Sequence, residues 1–311
     1  MSEKIKIVIA GIGGVGGYFG GLLAKKYENS NEIEIAFLAR GNHLSQIKQN
    51  GLKVINKVGE DFIAKPYLAT DNAGEIGKAE FILVCTKGYD LENTIEQLHP
   101  CITNQTIILP LLNGVDGTER IQKLLPETTV LQGCVYIASK IKDAGVVEND
   151  GQFQRLFFGD GTSDNSRLIW LEKTMKEANI DATYTDRILS VVWEKFIFIS
   201  PIATATSYFD TNFGTLVRYH EQTVVRLIDE SIKIAAAKHI YTPPDIFEKT
   251  LSRLKNLPLE NTSSMHRDFK GKPSTEVASL TGYIVREAKA LSVETPTYNS
   301  IYQQLLNRSS K

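Results

Sequence analysis

The sequence from residue 4 reads Lys4-Ile5-Lys6-Ile7-Val8-Ile9-Ala10-Gly11-Ile12-Gly13-Gly14-Val15-Gly16-Gly17, and an apparently helical segment follows from Tyr18 to Lys26. This pattern predicts a buried strand, a tight glycine turn and a helix. The glycines have the G-x-G-x-x-G spacing of dinucleotide-binding turns, in which they permit the turn, the close approach of a pyrophosphate and the packing of the helix on the strand. N–H groups at the helix start would bind that pyrophosphate. We therefore predict dinucleotide binding by residues Gly11, Ile12, Gly13, Gly14, Val15 and Gly16.

Length and composition favour a two-domain protein that acts on a small molecule. The chain has 311 residues, of which 42% are hydrophobic, enough to fill two substantial cores. Its 35 basic and 36 acidic residues are interspersed, so no basic surface is expected to bind nucleic acid or an anionic membrane. We therefore expect a small-molecule substrate.

The sequence also lacks the signals of export, membrane insertion and metal binding. No segment approaches about eighteen uninterrupted apolar residues, and the N-terminus lacks the usual pattern of a signal peptide. Cys85, Cys101 and Cys134 have no paired spacing, so we expect reduced thiols in a soluble, cytoplasmic protein. The five histidines form no metal-ligand pattern, and we predict no metal.

The residue that follows the second predicted strand, Ile33 to Leu38, favours one cofactor. An acidic residue there would hydrogen-bond the ribose 2′-hydroxyl of NAD, whereas an arginine suits the 2′-phosphate of NADP. The chain has Arg40 and no acid at this place, which favours NADP (NADPH). A solvated surface arginine is the alternative. His43 is either a further contact or an ordinary loop residue.

Two later apolar strands, Glu80 to Cys85 and Gln105 to Leu112, are each followed by a polar side chain. Ligands of open α/β sheets bind at the carboxyl ends of the strands. Lys87 is therefore a candidate cofactor contact, and Asn113 a candidate neighbour of the nicotinamide. A solvated loop lysine and an ordinary Asn-Gly turn are the alternatives.

The remaining strand patterns complete the first half of the chain. Residues 51–55 and 61–64 predict a small hairpin, residues 129–137 a continuation of the sheet, and residues 151–159 an antiparallel addition. The pattern then becomes helical, with candidate helices at residues 188–209, 213–239, 244–257, 274–291 and 296–306. We predict an N-terminal Rossmann-like doubly wound α/β domain that binds NADP (residues 1–186), an all-helical substrate and catalytic domain (residues 187–311), and an active site between them.

Two charged residues of the helical half are candidates for catalysis. Lys195 lies within a strongly apolar helix, where burial disfavours the ammonium form and prepares the side chain to give up a proton. A core-helix lysine whose head reaches water is the alternative. Glu276 lies in a predicted first helical turn, where an acid is also favoured simply by the helix dipole.

Seven short motifs, in this order, resemble the ketopantoate reductases (2-dehydropantoate 2-reductases). They are the glycine turn, Arg40-Gly41, Thr86-Lys87, Leu112-Asn113-Gly114, Trp193-x-Lys195, Asn261-Thr262-Ser263-Ser264-Met265 and Thr275-Glu276. The resemblance spans nearly the whole chain. It implies NADPH-dependent reduction of 2-dehydropantoate to (R)-pantoate, a step of pantothenate and coenzyme A biosynthesis.

The same resemblance implies a role for each matching residue. Lys195 would be the proton donor, and Glu276 would orient the substrate and the lysine. Asn113 would lie beside the nicotinamide and the substrate, and Lys87 would contact the cofactor. The remaining substrate contacts would come from Asn261 and Ser264.

The sequence departs from that family at two positions. The helix after the lysine usually carries asparagines one and two turns further on, where this chain has Ile199 and Ala203. Both share a helix face with Lys195, so a wall expected to hydrogen-bond the substrate is apolar. A local shift at the nearby proline that brings Ser200 or Thr204 into this place is the alternative. The exact 2-oxo acid is therefore left open.

Other functions also stay open. One is a reductase of a different, less polar 2-oxo acid on the same scaffold. A β-hydroxyacid or 6-phosphogluconate-type dehydrogenase shares the architecture but needs an asparagine in place of Ile199 and a glycine pair before the lysine, both absent here. A non-enzymatic NADP-binding sensor would be expected to lose its proton donor, whereas Lys195 and Glu276 are present. The oligomeric state is open, with a homodimer among the options.

Overall fold

The computed structural model describes residues 4–151, 154–271 and 274–309. The chain divides into two compact units, the first comprising Met1–Leu112 and Gly117–Ile188, the second Asn113–Asp116 and Leu189–Lys311. A turn of four residues, Asn113–Asp116, thus belongs with the helical unit although the segments on both sides of it belong to the first unit. The assignment of cofactor binding to residues 1–186 and of catalysis to residues 187–311 stays a prediction.

The strands and helices of the described residues are numbered here in chain order. The strands are β1 Ile5–Ala10, β2 Ile33–Leu38, β3 Leu52–Asn56, β4 Phe62–Ala64, β5 Leu68–Thr70, β6 Phe81–Val84, β7 Ile107–Pro110, β8 Thr129–Val130, β9 Gln132–Tyr136, β10 Ser139–Asp143, β11 Val146–Asn149, β12 Arg155–Gly159 and β13 Ala182–Tyr184. The α-helices are α1 Gly14–Lys26, α2 Gly41–Asn50, α3 Leu91–Leu98, α4 Gly117–Leu124, α5 Ser166–Glu177, α6 Ile188–Phe209, α7 Phe213–Tyr219, α8 Glu221–Ala237, α9 Ile246–Lys255, α10 Ser264–Gly271, α11 Val277–Leu291 and α12 Pro296–Ser309.

The first unit is built on a parallel sheet with the strand order β5-β2-β1-β6-β7-β8. Successive side chains of a strand point to opposite faces, and β1 accordingly supplies Ile7 and Ile9 to one core and Val8 and Ala10 to another. Helices α1 and α5 complete the first core, and α3 and α4 the second. The predicted doubly wound Rossmann-like fold is confirmed. Its strand order reverses between β1 and β6, where folds of this type bind ligands at the carboxyl ends of the strands.

Two small sheets complete the first unit. The predicted hairpin is confirmed: β3 pairs antiparallel with β4, with Leu52 opposite Ala64, in a sheet of order β10-β11-β3-β4. The predicted antiparallel addition is confirmed for the pair β12 and β9, whereas residues 152 and 153 of that segment lie outside the described residues.

The prediction that residues 129–137 continue the main sheet is only partly right. Strand β8 joins it, but β9 leaves it and pairs with β12 in a sheet of order β13-β12-β9. Gly133 makes this departure sterically feasible, because a Cβ atom there would lie 2.3 Å from the carbonyl oxygen of Pro110. The alternating pattern of a strand does not show which sheet the strand joins, because apolar residues alternate in the same way in both sheets.

The second unit is all-helical, as predicted, and its central helix is α6. This helix runs the full predicted length of 22 residues and contains Pro201. Near its start Trp193 and Phe196 pack edge-on against each other and against Tyr283 of α11. By length and composition α6 could cross a membrane, but 61% of its apolar window is buried, and a core helix passes the same test.

The other predicted helices are present with two corrections. The predicted helix at 213–239 is wrong as one element, because α7 ends at Tyr219 and α8 begins at Glu221. The break falls at His220, whose ring stacks on Phe209 at 3.7 Å between centroids. This tertiary contact leaves no glycine or proline signal in the sequence. The helix predicted from residue 274 begins at Val277. Helix α10 lies in a stretch for which the sequence predicts no helix.

Candidate functional site

The glycine turn of the first unit has the geometry that a pyrophosphate requires. Gly11 has a φ of +92°, a left-handed conformation that glycine adopts without strain. A Cβ atom on Gly13 would meet nothing within 4 Å, whereas one on Gly16 would lie 2.1 Å from the carbonyl oxygen of Gly11. The second glycine therefore borders open space and the third is closed by packing. No side chain caps the N-terminus of α1 at Gly13, so the helix presents its first N–H groups to a phosphate.

Two residues after β6 line the inner side of this turn. The Cβ atom that Gly11 lacks would lie 2.7 Å from Cγ2 of Thr86. Burial raises the pKa of the Cys85 thiol to about 12, so this cysteine is a neutral packing group. All three cysteines are free thiols. Lys87 follows directly and is half-buried at the carboxyl end of the strand.

Arg40, the predicted cofactor selector, stands at the N-cap of α2 with 76% of its side chain exposed. Its Nη2 atom donates a hydrogen bond to the Asp90 carboxylate at 2.8 Å. His43 is turned inward, and its Nδ1 atom accepts a hydrogen bond from the Gly145 N–H at 2.9 Å. Burial lowers the pKa of this imidazole. Arg40 is therefore accessible to a ligand, and His43 connects α2 with the β10–β11 turn.

The second unit brings two candidate residues together that are 82 positions apart in the sequence. Lys195 of α6 donates a hydrogen bond from Nζ to Oδ1 of Asn113 at 3.0 Å. Both side chains are only partly buried. An amide oxygen accepts from either protonation state of a lysine and carries no charge, so it orients the amine without fixing the proton on it.

The turn that carries Asn113 is anchored within the helical unit. Gly114 has a φ of +100° and lies against Ser279 of α11. Val115 packs on the helical core, and the buried Asp116 carboxylate lies 3.5 Å from Arg286. These contacts attach the asparagine turn to α11 and to the helical core.

Glu276, the second predicted catalytic residue, is 3% exposed and directly precedes α11. Its backbone carbonyl accepts the Leu280 N–H at 3.0 Å, which starts the helix. An acid at this position of a helix is stabilised by the helix dipole. Helix α11 thus supports both the asparagine turn and the buried carboxyl group.

The predicted substrate residues Asn261 and Ser264 lie on a segment between α9 and the first turn of α10. The Asn261 carbonyl accepts the Phe213 N–H at 2.9 Å, which ties the segment to α7. The Asn261 residue itself is exposed, and Ser264 is partly buried as the first residue of α10. Both side chains therefore belong to the same unit as Lys195.

The alternative in which Ser200 or Thr204 replaces the missing asparagines is wrong. Ser200 is buried and hydrogen-bonds the Leu280 carbonyl and the Tyr298 hydroxyl, at 3.1 and 2.7 Å. Thr204 is buried and hydrogen-bonds Thr281 at 2.7 Å. Both hydroxyl groups are committed to the interior because α6 continues through Pro201 without the shift this alternative needed. Ile199 is half-buried and Ala203 is in the core.

Sequence reasoning missed a contact between a buried histidine and an exposed carboxylate beside the segment that contains Asn261. His266 of α10 lies 2.7 Å from the carboxylate of Asp210, which follows α6. These residues are 56 positions apart, and no spacing rule connects them. Among residues 4–151, 154–271 and 274–309, no group of three or more histidine, cysteine or acidic side chains is arranged to hold a metal ion.

The parallel sheet and its glycine turn have the architecture of dinucleotide-binding proteins. The family model described as Ketopantoate reductase PanE/ApbA matches residues 7–163, and that described as Ketopantoate reductase PanE/ApbA C terminal matches residues 187–309. The chain belongs to the ketopantoate reductase family, as the seven motifs predicted. It is therefore an oxidoreductase, and its family uses a nicotinamide cofactor.

Individual relatives match nearly the whole chain. The crystal structure of a 2-dehydropantoate 2-reductase from Porphyromonas gingivalis W83 is 35% identical, with a TM-score of 0.86 over 98% of this chain and 100% of its own. An uncharacterised oxidoreductase of Bacillus subtilis is 27% identical over 304 residues, 97% of this chain and 98% of that protein. A 2-dehydropantoate 2-reductase of Halobacterium salinarum is 25% identical over 301 residues, 96% of each.

Proposed function

We propose that the protein reduces 2-dehydropantoate to (R)-pantoate with NADPH. The observation that carries this proposal is the hydrogen bond between Lys195 and Asn113 at 3.0 Å. It orients the amine of a lysine that belongs to the strongly apolar helix α6. Glu276, buried at the start of α11, completes the set of residues that the family resemblance assigns to the reaction.

The proposed mechanism gives each residue one task. A bound nicotinamide would supply the hydride for the ketone carbon. Lys195 donates a proton from Nζ to the carbonyl oxygen as charge develops there, and it regains a proton from water after the alcohol leaves. General-acid help of this kind contributes about a hundred- to ten-thousandfold in rate, or about 3 to 5 kcal/mol.

The remaining residues hold the reactants. Asn113 orients the lysine through its amide oxygen and offers its NH2 group to the substrate or the nicotinamide. Asn261 and Ser264 are the proposed hydrogen-bond partners of the substrate, since both lie on the segment that enters α10. Lys87 would contact the cofactor from the carboxyl end of β6.

NADP is the proposed cofactor, with Arg40 as the residue that recognises the 2′-phosphate. The exposed guanidinium supports this assignment. Its ion pair with Asp90 means that a 2′-phosphate would share or displace an existing carboxylate partner. The preference for NADPH over NADH is therefore expected to be smaller than that of an arginine without an acidic neighbour.

A second candidate substrate is a 2-oxo acid with an apolar tail. The observation that favours it is the half-buried Ile199, one turn beyond Lys195, together with the core position of Ala203. An apolar wall leaves hydroxyl groups of a substrate without partners, and each lost neutral hydrogen bond is worth about 1 kcal/mol.

The experiment that tests the function is NADPH oxidation by the purified protein against a panel of 2-oxo acids. We expect 2-dehydropantoate to have the highest kcat/KM. A higher kcat/KM for an acid with an apolar tail would replace the first candidate with the second. If no 2-oxo acid of the panel supports NADPH oxidation, both candidate substrates are contradicted.

The state and location of the protein remain part of the proposal. A homodimer is proposed, and analytical ultracentrifugation at micromolar concentration would test it. A cytoplasmic location is proposed from the free thiols, and cell fractionation would test that assignment.

A further inference from the structure

A chain of polar contacts ties the end of the lysine helix to the segment that carries Asn261 and Ser264. The ring of His266 is 3% exposed and has a partner at each nitrogen. Nε2 lies 2.7 Å from Oδ1 of Asp210, and Nδ1 lies 2.7 Å from Oγ1 of Thr262. Asp210 directly follows α6, the helix of the proposed proton donor.

The ring joins the carboxylate to the Thr262 hydroxyl group. A carboxylate only accepts hydrogen bonds, so Nε2 of His266 donates to Asp210. The Thr262 hydroxyl lies 2.7 Å from Nδ1 and 3.0 Å from the Thr211 carbonyl oxygen. The imidazole therefore bridges Asp210, which follows α6, and Thr262, on the segment that carries Asn261.

Further contacts hold the two neighbours of this ring. The Asp210 carboxylate also forms an ion pair with Lys270 of α10, with 3.0 Å between Oδ1 and Nζ. Its hydrogen bonds to His266 and Lys270 hold the pKa of this carboxyl below its ordinary value. On the far side of the ring, Arg267 donates to the Thr262 carbonyl at 2.8 Å.

A second set of bonds joins the same two elements. Ser263 and Thr206 of α6 share a hydrogen bond of 2.7 Å between their hydroxyl groups. The Ser263 oxygen also accepts the His266 N–H at 3.1 Å, which caps the start of α10. Thr262 and Ser263, which separate Asn261 from Ser264, are thus hydrogen-bonded to the last turn of α6 or to the residues that directly follow it.

We propose that His266, which bridges Asp210 and Thr262, is the positioning residue of the substrate-binding segment. It fixes the distance between Asn261 and Ser264 on one side and the lysine helix on the other. This inference rests on the proposed function, because it takes the segment to be the one that holds the 2-oxo acid. It predicts that breaking the bridge weakens substrate binding and leaves cofactor binding unchanged.

The experiment removes the carboxylate acceptor in one variant and replaces it by a neutral acceptor oxygen in another. Asp210 has a φ of +51°, so Asp210→Gly removes the side chain without left-handed strain. Asp210→Asn keeps an acceptor oxygen and tolerates the same backbone conformation. His239→Gly is the matched control, since His239 has a φ of +58° at the end of α8 and is exposed.

Two measurements are made on each variant. One is amide hydrogen exchange of residues 259–268, and the other is the set of KM, kcat and dissociation constant for NADPH. For Asp210→Gly we expect faster exchange in this segment and a KM for the 2-oxo acid raised about tenfold, the loss of one charge-assisted bond. The kcat and the NADPH dissociation constant should stay within about twofold. Asp210→Asn should recover most of the KM, and His239→Gly should change neither measurement.

The outcomes separate this inference from the proposed function. Unchanged exchange in Asp210→Gly, or faster exchange with an unchanged KM, overturns the positioning role. An equal rise of exchange and KM in His239→Gly would also overturn it, because a glycine after any helix would then produce the same effect. If the unmodified protein reduces no 2-oxo acid, the proposed function fails, and exchange alone decides whether Asp210 and His266 order the segment.

Discussion

The two units of this protein build their sites by different means. In the first unit, the predicted cofactor site is a glycine turn of six consecutive residues that would bind through backbone atoms, and its geometry follows from where a Cβ atom is missing. In the second unit, Lys195 and Asn113 come from distant stretches of the chain and meet through their side chains, and the buried Glu276 comes from a third stretch, at the start of α11. A backbone site is legible in a short motif, whereas a side-chain site depends on the packing of the whole unit.

The largest expected effect comes from removing the proton donor of the second unit. Lys195→Ala should lower kcat by a hundredfold or more, since general-acid help is lost, and should leave the dissociation constant for NADPH nearly unchanged. Steady-state kinetics and a fluorescence titration with NADPH measure the two quantities. Wild-type turnover in this variant would mean that the lysine is structural.

The glycine turn can be divided into a packing position and a binding position. Gly16→Ala should destabilise the first unit by about 1 to 3 kcal/mol, because its Cβ atom would overlap a carbonyl oxygen at 2.1 Å. Gly13→Ala should melt like the unmodified protein, since its Cβ atom enters open space, but should bind NADPH more weakly. Thermal melting and NADPH titration of both variants test this division. Equal melting losses would contradict the difference in packing between the two positions, and unchanged NADPH binding by Gly13→Ala would show that the open space at Gly13 is not a ligand position.

Arg40 tests whether a side chain refines the backbone site. Arg40→Ala should raise the KM for NADPH about tenfold, the value of one charge-assisted contact, with little change for NADH. Asp90→Asn is the informative partner variant, because it frees the guanidinium from its 2.8 Å contact and should strengthen the preference for NADPH. Equal use of both cofactors by the unmodified protein would refute the assignment.

Ile199 tests the apolar wall of the second unit. Ile199→Asn should lower the KM for 2-dehydropantoate by up to about tenfold, equivalent to one good hydrogen bond. Leu189→Asn, a change at a residue of the same helix that is 47% exposed, is the control for adding an amide to α6. If Ile199 instead faces only the core, the buried amide would lower the free energy of unfolding by about 1 to 3 kcal/mol. The variant would then melt at a lower temperature, and its KM for 2-dehydropantoate would not fall.

The smallest expected effect is a pH dependence in the first unit. Burial lowers the pKa of His43, so below the ordinary histidine pKa of about 6.5 the unfolded chain binds more protons than the folded one. The stabilisation is complete above that pH and is lost as the pH falls through the folded pKa. His43→Asn keeps an acceptor for the Gly145 N–H and should therefore lose fewer degrees of melting temperature between pH 7.5 and 5. Identical pH profiles would rule out a contribution from His43.

The sequence determined the strand, turn and helix of the cofactor site and the full length of α6, because hydrophobic periodicity and glycine spacing are local. It also supplied the family, since seven short motifs in order are independent of packing. Only the tertiary structure decided that Asn113 belongs with the helical unit and bonds Lys195, that Ser200 and Thr204 are spent in the core, and that a stacked His220 ends α7. These features depend on which side chains meet across long stretches of chain, and such meetings are fixed by the packing of helices rather than by any local pattern.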